Sequence, residues 1–342
     1  MQAYRIRPGA GIDALERFQI EAAPPAARQV RVRTHAVSLN YRDLTTARGD
    51  HHSSEKFVIP CSDAAGEVIG VGGEVTRFKV GDRVASVFYP RWIGGDPAPE
   101  KTAQSLAGSV DGVLAEETLF HEDGLVRIPA HFDYVEAATL PCAGVTAWHA
   151  VFVARLQKPG SAVLVLGTGG VSLWALQLAK AAGLRVIITS SDDRKLERAR
   201  ALGADEVINY NVTPEWQAEA VRLTGGRGAD LVVEVGGKGT LKRSIAAARM
   251  GGTVAIIGGL TGYGGELEPF AMIRGLKHLA GILVGSRAMA EDLCRFVELT
   301  KIRPVIDRLF DFGQAREAYR YIESVRPFGK VVIVTAASGR RP

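Results

Sequence analysis

Cysteine is scarce in this sequence, which has 342 residues but only three cysteines, at positions 61, 142 and 294. They are too few and too far apart for a disulfide framework, or for a zinc site made of paired CxxC motifs. Such usage fits a reducing compartment. We therefore expect the protein to be cytoplasmic.

Long apolar runs and blocks of like charge are also missing. No stretch approaches 18 apolar residues without charge or glycine, and the N-terminus, MQAYRIRPGAGIDALERF, lacks the apolar core of a signal peptide. The net charge of +5 is spread along the chain without a run of five like charges. We therefore expect no membrane segment, no export and no nucleic-acid-binding tail.

The composition is that of an ordinary globular enzyme, with 46% apolar and 23% charged residues, and the length suggests two domains. Up to about residue 128, short apolar runs such as QVRVRTHAV and AAGEVIGVG alternate with glycine, proline and charge, which predicts a β-rich domain. After residue 129, six short β-branched runs between Ala162 and Ser286 alternate with helical patterns, which predicts a doubly wound parallel sheet.

These patterns predict an α/β protein made of two domains. A β-rich domain is expected at residues 1–128 and 305–342, and a Rossmann dinucleotide-binding domain at residues 129–304. The last segment joins the first domain because its final strand, GKVVIVTA, has no helical partner after it.

A glycine turn, GTGGVS, follows the first strand of the predicted parallel sheet and opens a helix. Gly167 allows the tight turn, and Gly169 lets backbone amides approach a pyrophosphate at the positive end of the helix. Ser172 fills the third position, where a small residue permits close packing of helix and strand. A flexible turn is the alternative. The turn residues assigned to the cofactor are Gly167, Thr168, Gly169, Gly170 and Val171.

The end of the second strand indicates which dinucleotide is bound. An NAD enzyme usually has a carboxylate there to bind the ribose 2′-hydroxyl. Here the strand ends with Ser190 and Ser191, followed by Arg194 and Lys195. Hydroxyls and cations suit a 2′-phosphate, so we expect NADP(H) in preference to NAD(H). The alternative is a ribose contact from one of the two aspartates at 192 and 193, with the cations solvated.

Several spaced motifs then point to a family. They are LNYRDL, AGEVIGVGGEVTRFKVGDRV, LPCAGVTAW, GTGGVS, INY and the terminal FGKVVI. Together they resemble the medium-chain dehydrogenase/reductase superfamily over essentially the whole chain, and within it the zinc-independent quinone oxidoreductases and their alcohol-dehydrogenase-like relatives. The resemblance implies a GroES-like β-rich catalytic domain, an NAD(P)-binding domain and a cleft between them.

Zinc-dependent members of this superfamily hold the catalytic metal with cysteine, histidine and cysteine. The resemblance places Asn40, Ser62 and Cys142 at these positions, with Asp63 as the acidic residue of the histidine turn. Catalytic zinc normally takes three side chains from His, Cys, Asp or Glu, so this set falls short. The family's structural zinc loop is also missing, since residues 92–114 contain no cysteine. We predict no bound metal.

Cys142 lies between a proline and a predicted helix, in the stretch LPCAGVTAWHA. We expect a small, half-buried residue beside the nicotinamide site. A reactive thiolate is the alternative, but His149 lies seven residues on and partly turned away. His51 and His52 are possible replacement metal ligands, with a polar loop role as their alternative.

Without zinc, another group must stabilise the charge that develops on the substrate oxygen during hydride transfer. The catalytic candidates are Asn40, the Tyr41 hydroxyl and His51. Relatives often have a tyrosine near the position of His51, so the histidine departs from the family pattern. Turn capping by Asn40 and core packing by Tyr41 are the alternatives. The residues assigned to the substrate are Asp63, Trp92 and Cys142, with a packing role as the alternative for Trp92.

The resemblance also implies further cofactor contacts. Thr146 corresponds to a position that contacts the nicotinamide amide, whereas Lys195 and Tyr210 correspond to positions that contact the adenosine phosphate in NADPH-using relatives. Other residues assigned to the cofactor are Gly236, Gly258, Gly259 and Lys330. The three glycines end strands at the carboxyl edge of the sheet, where an ordinary turn glycine is the alternative.

The expected function is that of a zinc-independent, NADPH-dependent oxidoreductase that transfers hydride to an activated alkene or quinone. One alternative is an alcohol or aldehyde dehydrogenase, with or without a metal site built from Asp63, Cys142 and His51. Another is a catalytically silent NADPH-binding protein. The stretch LAGILVGS resembles the edge strand that pairs across a two-fold axis in this superfamily, so we expect a homodimer. Its small electrophilic substrate is the only other partner expected.

Overall fold

The structure is a computed structural model that describes residues 1–50, 56–264 and 267–335. Its strands, in chain order, are β1 Gln2–Arg5, β2 Glu16–Gln19, β3 Gln29–Ser38, β4 Asp63–Val71, β5 Arg83–Ser86, β6 Glu117–His121, β7 Leu125–Arg127, β8 Ala162–Val165, β9 Arg185–Ser190, β10 Glu206–Asn209, β11 Ala229–Glu234, β12 Ala248–Ile256, β13 His278–Gly281, β14 Ile306–Asp311 and β15 Lys330–Val334.

The α-helices, in chain order, are α1 Tyr41–Arg48, α2 Pro99–Thr102, α3 Tyr134–Ala137, α4 Val145–Trp148, α5 Gly170–Ala181, α6 Asp193–Ala201, α7 Trp216–Leu223, α8 Leu241–Ala247, α9 Pro269–Gly275, α10 Arg287–Thr300 and α11 Ala315–Glu323. Short 3₁₀ turns lie at Ile12–Ala14, Glu122–Gly124 and Phe312–Gln314, and π-helical turns at Leu140–Gly144 and His149–Val153 flank α4. Within the described ranges, no helix has the length and apolar character needed to cross a lipid bilayer.

The first compact unit comprises residues 1–145 and 285–342 and is built on a largely antiparallel sheet. Its strand order is β14-β15-β3-β4-β5-β7, with β6 paired to the start of β3. In β3, the buried residues Val30 and Val32 alternate with arginines that are only partly buried or exposed, as the sequence pattern predicts for a half-covered strand. Farther along β3, residues 34–38 are buried on both faces, and α3 packs against the strand there, with the Tyr134 ring stacked on His35.

The second compact unit comprises residues 146–284 and contains a six-stranded parallel sheet. The strand order is β10-β9-β8-β11-β12-β13, so the order reverses between β8 and β11. All residues of β8 and β11 are buried, as expected for strands covered on both faces by helices. Each of the six predicted strands is present, and the predicted α/β fold class is confirmed. The last strand is shorter than LAGILVGS, because β13 ends at Gly281.

The bounds of the two units differ from the predicted domain bounds of 128/129 and 304/305. Residues 129–145 and 285–304 belong to the first unit. Ion pairs accompany this placement: Arg77 contacts the Glu291 carboxylate of the second segment at 3.0 Å, and Arg303 contacts Glu136 at 2.6 Å, which links the two segments to each other. These pairs join residues that are far apart in the sequence, so the helical pattern of α10 alone could not reveal them.

Candidate functional site

The turn after β8 leaves open space above its glycines. Gly167 has φ of +71°, in the left-handed region, whereas Gly169 is extended and immediately precedes α5. A Cβ atom added at either glycine would meet no neighbouring atom within 4 Å. Thr168 is buried between them. Packing against the protein therefore does not explain why residue 169 is glycine, whereas close approach of a ligand to the backbone would explain it.

Two hydroxyl groups hold this turn in place. Ser172 Oγ donates to the carbonyl oxygen of Leu166 at 2.7 Å, and the Gly167 amide donates to Thr189 Oγ1 at 3.2 Å. Ser172 is buried between helix and strand, as its predicted role requires. Among the described residues, no side chain caps the N-terminus of α5, where Gly170 and Val171 begin the helix. Its first amides therefore suit an anionic group.

Both aspartates after β9 already have partners. Asp192 accepts a hydrogen bond from the Arg194 amide at 2.8 Å and pairs with the Arg194 guanidinium at 3.2 Å. The guanidinium contact lowers the pKa of the Asp192 carboxyl. Asp193 Oδ1 accepts from Asn209 Nδ2 at 2.6 Å. A ribose contact from either carboxylate would compete with these bonds.

The predicted adenosine-phosphate residues come together at the carboxyl ends of β9 and β10. Ser190 is buried, and its carbonyl oxygen accepts a hydrogen bond from the Tyr210 amide at 3.0 Å. Ser191 is exposed, Tyr210 is 40% exposed, and Lys195 is half-buried in the first turn of α6. The edge therefore offers hydroxyls and a lysine beside a surface that a ligand can reach.

The glycines after β11 and β12 differ from those after β8. A Cβ at Gly236 would lie 2.3 Å from Thr240 Oγ1, and one at Gly258 would lie 2.7 Å from the Val235 carbonyl oxygen. A Cβ at Gly259 would lie 2.5 Å from the Tyr263 ring. Packing of these loops alone requires glycine. This observation favours the alternative that these three residues are glycine because the turns require it. Their backbone amides remain able to contact a cofactor.

In the first unit, the sheet register brings together Asn40, predicted as catalytic, Asp63, assigned to the substrate, and Lys330, assigned to the cofactor. Ser38 of β3 pairs with Asp63 of β4 on one side and with Val332 of β15 on the other. Asn40, two residues after Ser38, and Lys330, two residues before Val332, therefore meet at one end of the sheet. Lys330 Nζ donates to Asn40 Oδ1 at 2.5 Å and also to the Leu39 carbonyl oxygen at 2.6 Å. The lysine is only 3% exposed.

Asp63, which is fully buried, and Cys142, which is half-buried as expected, complete this cluster. Asp63 Oδ2 accepts from the Cys142 amide at 3.0 Å, and Asp63 Oδ1 accepts from Ser62 Oγ at 2.6 Å. Burial raises the pKa of the Asp63 carboxyl, and the Lys330 ammonium is the largest opposing influence. Burial also raises the pKa of the Cys142 thiol to about 12, with the negative charge of Asp63 adding to the effect. A thiol with this pKa is protonated at neutral pH, which disfavours the nucleophile alternative.

Asn40 offers one hydrogen-bond donor for a ligand. Its side-chain nitrogen Nδ2 is buried and makes no hydrogen bond of good geometry with a described residue. Its nearby acceptor is the Asp63 carboxylate, because a hydrogen-bonding interaction with the Asn40 side chain lowers the pKa of that carboxyl. The Asn40 amide on the main chain donates to Asp43 Oδ2 at 2.7 Å, and this bond fixes Asn40 at the start of α1.

The described donor set does not suit a catalytic zinc ion. Of the three positions implied by the family, only Cys142 is a zinc-ligand type, and both oxygens of the neighbouring Asp63 already accept hydrogen bonds. Residues 1–50, 56–264 and 267–335 contain no group of three or more His, Cys, Asp or Glu side chains arranged to hold a metal. His51 and His52 lie outside the described residues.

Other predicted site residues are placed as follows. Tyr41 begins α1, is half-buried and packs against the core of the first unit, which favours the packing alternative. Trp92 is 1% exposed and its indole donates to the Gly95 carbonyl oxygen at 3.0 Å, so it anchors its own loop instead of lining an open mouth. Thr146 is buried in α4, within the second unit.

Two buried acidic residues, one in each unit, escaped the sequence analysis. Asp43 caps the backbone of Asn40, and its signal was the Asn-x-x-Asp spacing at the start of a helix. Glu234 is completely buried at the end of β11. The sequence offered no signal for it beyond an acidic residue in an apolar run, VVEVGG.

The six parallel strands, the reversal at β8 and β11, and the glycine turn define a Rossmann-type unit, here in the same chain as an antiparallel β-rich unit. Residues 26–130 match the alcohol dehydrogenase GroES-like domain, and residues 170–299 match the zinc-binding dehydrogenase family. The zinc in that name describes the family, whereas the described ligand positions of this chain lack a complete set.

Similar proteins carry several activities in their names. A zinc-type alcohol dehydrogenase-like protein of Schizosaccharomyces pombe is 41% identical over 312 residues, covering 89% of this chain and 90% of its own. A quinone oxidoreductase of Pseudomonas aeruginosa is 30% identical, over 95% of this chain and 96% of its own. The crystal structure of an NAD-dependent alcohol dehydrogenase matches with a TM-score of 0.87 and 34% identity, over 98% of this chain and 99% of its own.

This chain belongs to the medium-chain dehydrogenase/reductase superfamily. The predicted resemblance is therefore confirmed, and the protein is an oxidoreductase of that superfamily.

Proposed function

We propose that this protein is a zinc-independent reductase that uses NADPH to reduce an activated alkene or a quinone. The observation that carries the proposal is the buried cluster of Lys330, Asn40 and Asp63, in which an ammonium and an amide donor stand beside Cys142. Hydrogen-bond donors can stabilise a developing oxyanion without a metal. A quinone oxidoreductase is also among the relatives.

The choice of NADPH is supported by the residues at the end of β9. Ser190, Ser191 and Lys195 offer hydroxyls and a cation for a 2′-phosphate, while Asp192 is engaged in capping α6. The open Gly167 turn and the uncapped N-terminus of α5 suit the pyrophosphate. One structural relative is named as NAD-dependent, and comparison of NADPH with NADH tests the preference of this chain.

Reduction of an enone requires stabilisation of charge on the carbonyl oxygen. A reduced dinucleotide would supply the hydride for the β-carbon of the enone, and negative charge would then develop on the carbonyl oxygen. Asn40 Nδ2 donates a hydrogen bond to that oxygen, and the Lys330 ammonium stabilises its negative charge. The hydrogen bond from the Cys142 amide to Asp63 fixes the position of Cys142 in the cluster. A proton from solvent completes the reduction.

The proposal is tested with protein treated with a chelator and then freed of it. The protein is mixed with NADPH and a panel of enones, quinones and aldehydes, and the absorbance of the reduced cofactor is followed. We expect oxidation of NADPH with enones or quinones, and much slower oxidation of NADH. Added zinc should leave the rate unchanged. Tight binding of NADPH without turnover on any acceptor would favour the catalytically silent alternative.

Alcohol or aldehyde oxidoreduction is a second candidate, because one sequence relative is named a zinc-type alcohol dehydrogenase-like protein and one structural relative an NAD-dependent alcohol dehydrogenase. It would need a metal or another acid to polarise the carbonyl oxygen. Metal analysis before and after chelation, paired with alcohol oxidation assays, separates the two candidates. Activity on alcohols that disappears with the metal and returns with zinc would overturn the zinc-independent proposal.

We also propose that two copies of this chain assemble through β13. This strand lies at the edge of the parallel sheet and pairs only with β12 in the described part of the chain. Nearby apolar side chains are strongly exposed, including Ile273, Leu276 and Leu283. An unpaired strand beside exposed apolar residues favours association by edge pairing. Sedimentation at micromolar concentration is expected to show dimers.

A further inference from the structure

Glu234 is a carboxylate with no exposure to solvent, at the last position of β11. Its Oε1 atom accepts hydrogen bonds from the Gly236 amide at 2.6 Å, the Gly237 amide at 2.9 Å and Thr240 Oγ1 at 2.7 Å. Ser244 Oγ donates to the other oxygen, Oε2. All four donors are uncharged. A buried carboxylate is costly, so its retention with this set of donors calls for a physical reason.

The donors show what Glu234 holds. Gly236, Gly237 and Thr240 belong to the loop that joins β11 to α8, and Ser244 lies in α8 itself. Gly237 has φ of +88°, which favours glycine. Glu234 therefore folds this loop tightly over the end of its own strand.

The loop held by Glu234 is fastened in turn to the loop after β12. The Gly236 carbonyl oxygen accepts from the Thr261 amide at 2.7 Å and from Thr261 Oγ1 at 2.8 Å. The Lys238 amide donates to the Gly262 carbonyl oxygen at 3.0 Å, and the Gly239 amide donates to Thr261 Oγ1 at 2.8 Å. The two loops thus form one hydrogen-bonded layer, which is anchored to the sheet through Glu234.

The position of this layer gives it a functional meaning. β8 and β11 are neighbours in the sheet, and the strand order reverses between them. In open parallel sheets, ligands bind in the crevice outside the carboxyl ends of the strands at such a reversal. The Gly167 turn follows β8 and the Glu234-held loop follows β11, so the two flank the same crevice. Each half of a doubly wound sheet serves one mononucleotide of the dinucleotide.

We propose that Glu234 is a positioning residue for the nicotinamide half of the bound dinucleotide. It acts through the backbone of Gly236 and Gly237, which it holds against the sheet at the edge of the crevice. The adenosine half depends instead on the ends of β9 and β10. The inference rests on the proposed function only in assuming that a pyridine dinucleotide is bound.

The experiment compares two alanine substitutions on the same strand. Glu234→Ala removes the acceptor at the carboxyl end of β11. Asp230→Ala, the matched control, removes a buried carboxylate at its amino end, where Asp230 Oδ2 accepts from the Ala162 amide at 2.8 Å. Dissociation constants for NADPH and for 2′,5′-ADP, which contains only the adenosine half, are measured by calorimetry on full-length protein well below its melting temperature.

We expect Glu234→Ala to weaken NADPH binding by about tenfold while 2′,5′-ADP binding stays within about twofold of wild type. Asp230→Ala should leave the ratio of the two constants unchanged. Glu234→Gln should restore most of the affinity for NADPH, because its amide oxygen can still accept from Gly236 and Gly237. If Glu234→Ala does not fold, Thr240→Val removes a single donor and should shift the ratio in the same direction, by about threefold.

Equal weakening of both ligands by Glu234→Ala, or no weakening of NADPH, would overturn the inference. The same holds if Asp230→Ala shifts the ratio as much as Glu234→Ala. A wild-type protein that binds neither NADPH nor NADH would instead overturn the proposed function. The two failures are therefore distinguishable from the wild-type titration alone.

Discussion

Replacement of Gly169 by alanine separates a cofactor cradle from an ordinary flexible turn. Gly169 has φ of −80° and ψ of −176°, a conformation that alanine adopts without strain, and its added Cβ would meet no protein atom within 4 Å. Loss of flexibility in the unfolded chain stabilises such a variant by about 0.4 to 1 kcal/mol. Alanine is a poorer helix N-cap than glycine, and this effect acts in the opposite direction. The free energy of unfolding should therefore change by less than about 1 kcal/mol.

Binding of the dinucleotide should respond quite differently. The new methyl group would occupy the open space through which backbone amides reach the pyrophosphate. Loss of one hydrogen bond to a charged group costs about 1.5 to 3 kcal/mol. The dissociation constant for NADPH should therefore rise roughly ten- to hundredfold. Thermal unfolding reports the stability, and calorimetric titration with NADPH reports the affinity.

Two further variants make this comparison decisive. Gly313→Ala introduces the same methyl group at another open glycine, in the first unit, and should change neither quantity appreciably. Gly167→Ala forces alanine into a φ of +71°, so it should lower the stability by about 1 to 2 kcal/mol and weaken binding as well. If Gly169→Ala binds NADPH as tightly as wild type, the turn does not cradle the pyrophosphate and the assignment of the site is wrong.

Four other outcomes are expected. Lys330→Met should lower kcat by about a hundredfold, with a smaller loss in Lys330→Arg, as stopped-flow assays would show; an unchanged rate excludes Lys330 from catalysis. Cys142→Ala should keep most of the activity, because a thiol with a pKa of about 12 is no nucleophile at neutral pH, whereas complete inactivation would contradict this view. Burial raises the pKa of Asp43 to about 6, so the contribution of this group to stability is present at low pH and is lost as the pH rises through 6. Urea titrations between pH 4 and 7 should therefore show the free energy of unfolding of Asp43→Asn rising relative to that of wild type, by up to roughly 3 kcal/mol. Leu283→Asp should yield folded monomers in sedimentation, and persistent dimers would place the interface elsewhere.

The parallel sheet was predictable because its signal is local. Each strand from β8 to β13 is a short apolar run bounded by glycine or charge, and a buried parallel strand needs no partner-specific pattern. The bounds of the units were not predictable in the same way. Helix α10 has the amphipathic pattern of the helices around a Rossmann sheet, but Arg287 pairs with Asp123 and Glu291 pairs with Arg77, and these partners lie more than 160 residues away.

The candidate site was predictable in part. Family motifs pointed to Asn40, Asp63 and Cys142, and the structure brings these residues together at one end of the antiparallel sheet. The contact of Lys330 with Asn40, across 290 residues, depends on the pairing of β15 with β3 and had no local signal. The burial of Trp92 depends likewise on how its own loop folds back.

The buried polar cluster of the first unit is hard to explain by stability alone. Asp43 and Asp63 are both buried, and burial raises the pKa of both carboxyls. A buried cluster of this kind is often no more stable than well-packed apolar residues of the same volume. Asn40 adds a buried nitrogen that makes no hydrogen bond of good geometry with a described residue, and a poorly formed hydrogen bond carries a further cost. A substrate oxygen would provide an acceptor at the point where negative charge develops, and so the cost that the unliganded cluster carries is consistent with donors held in place for catalysis.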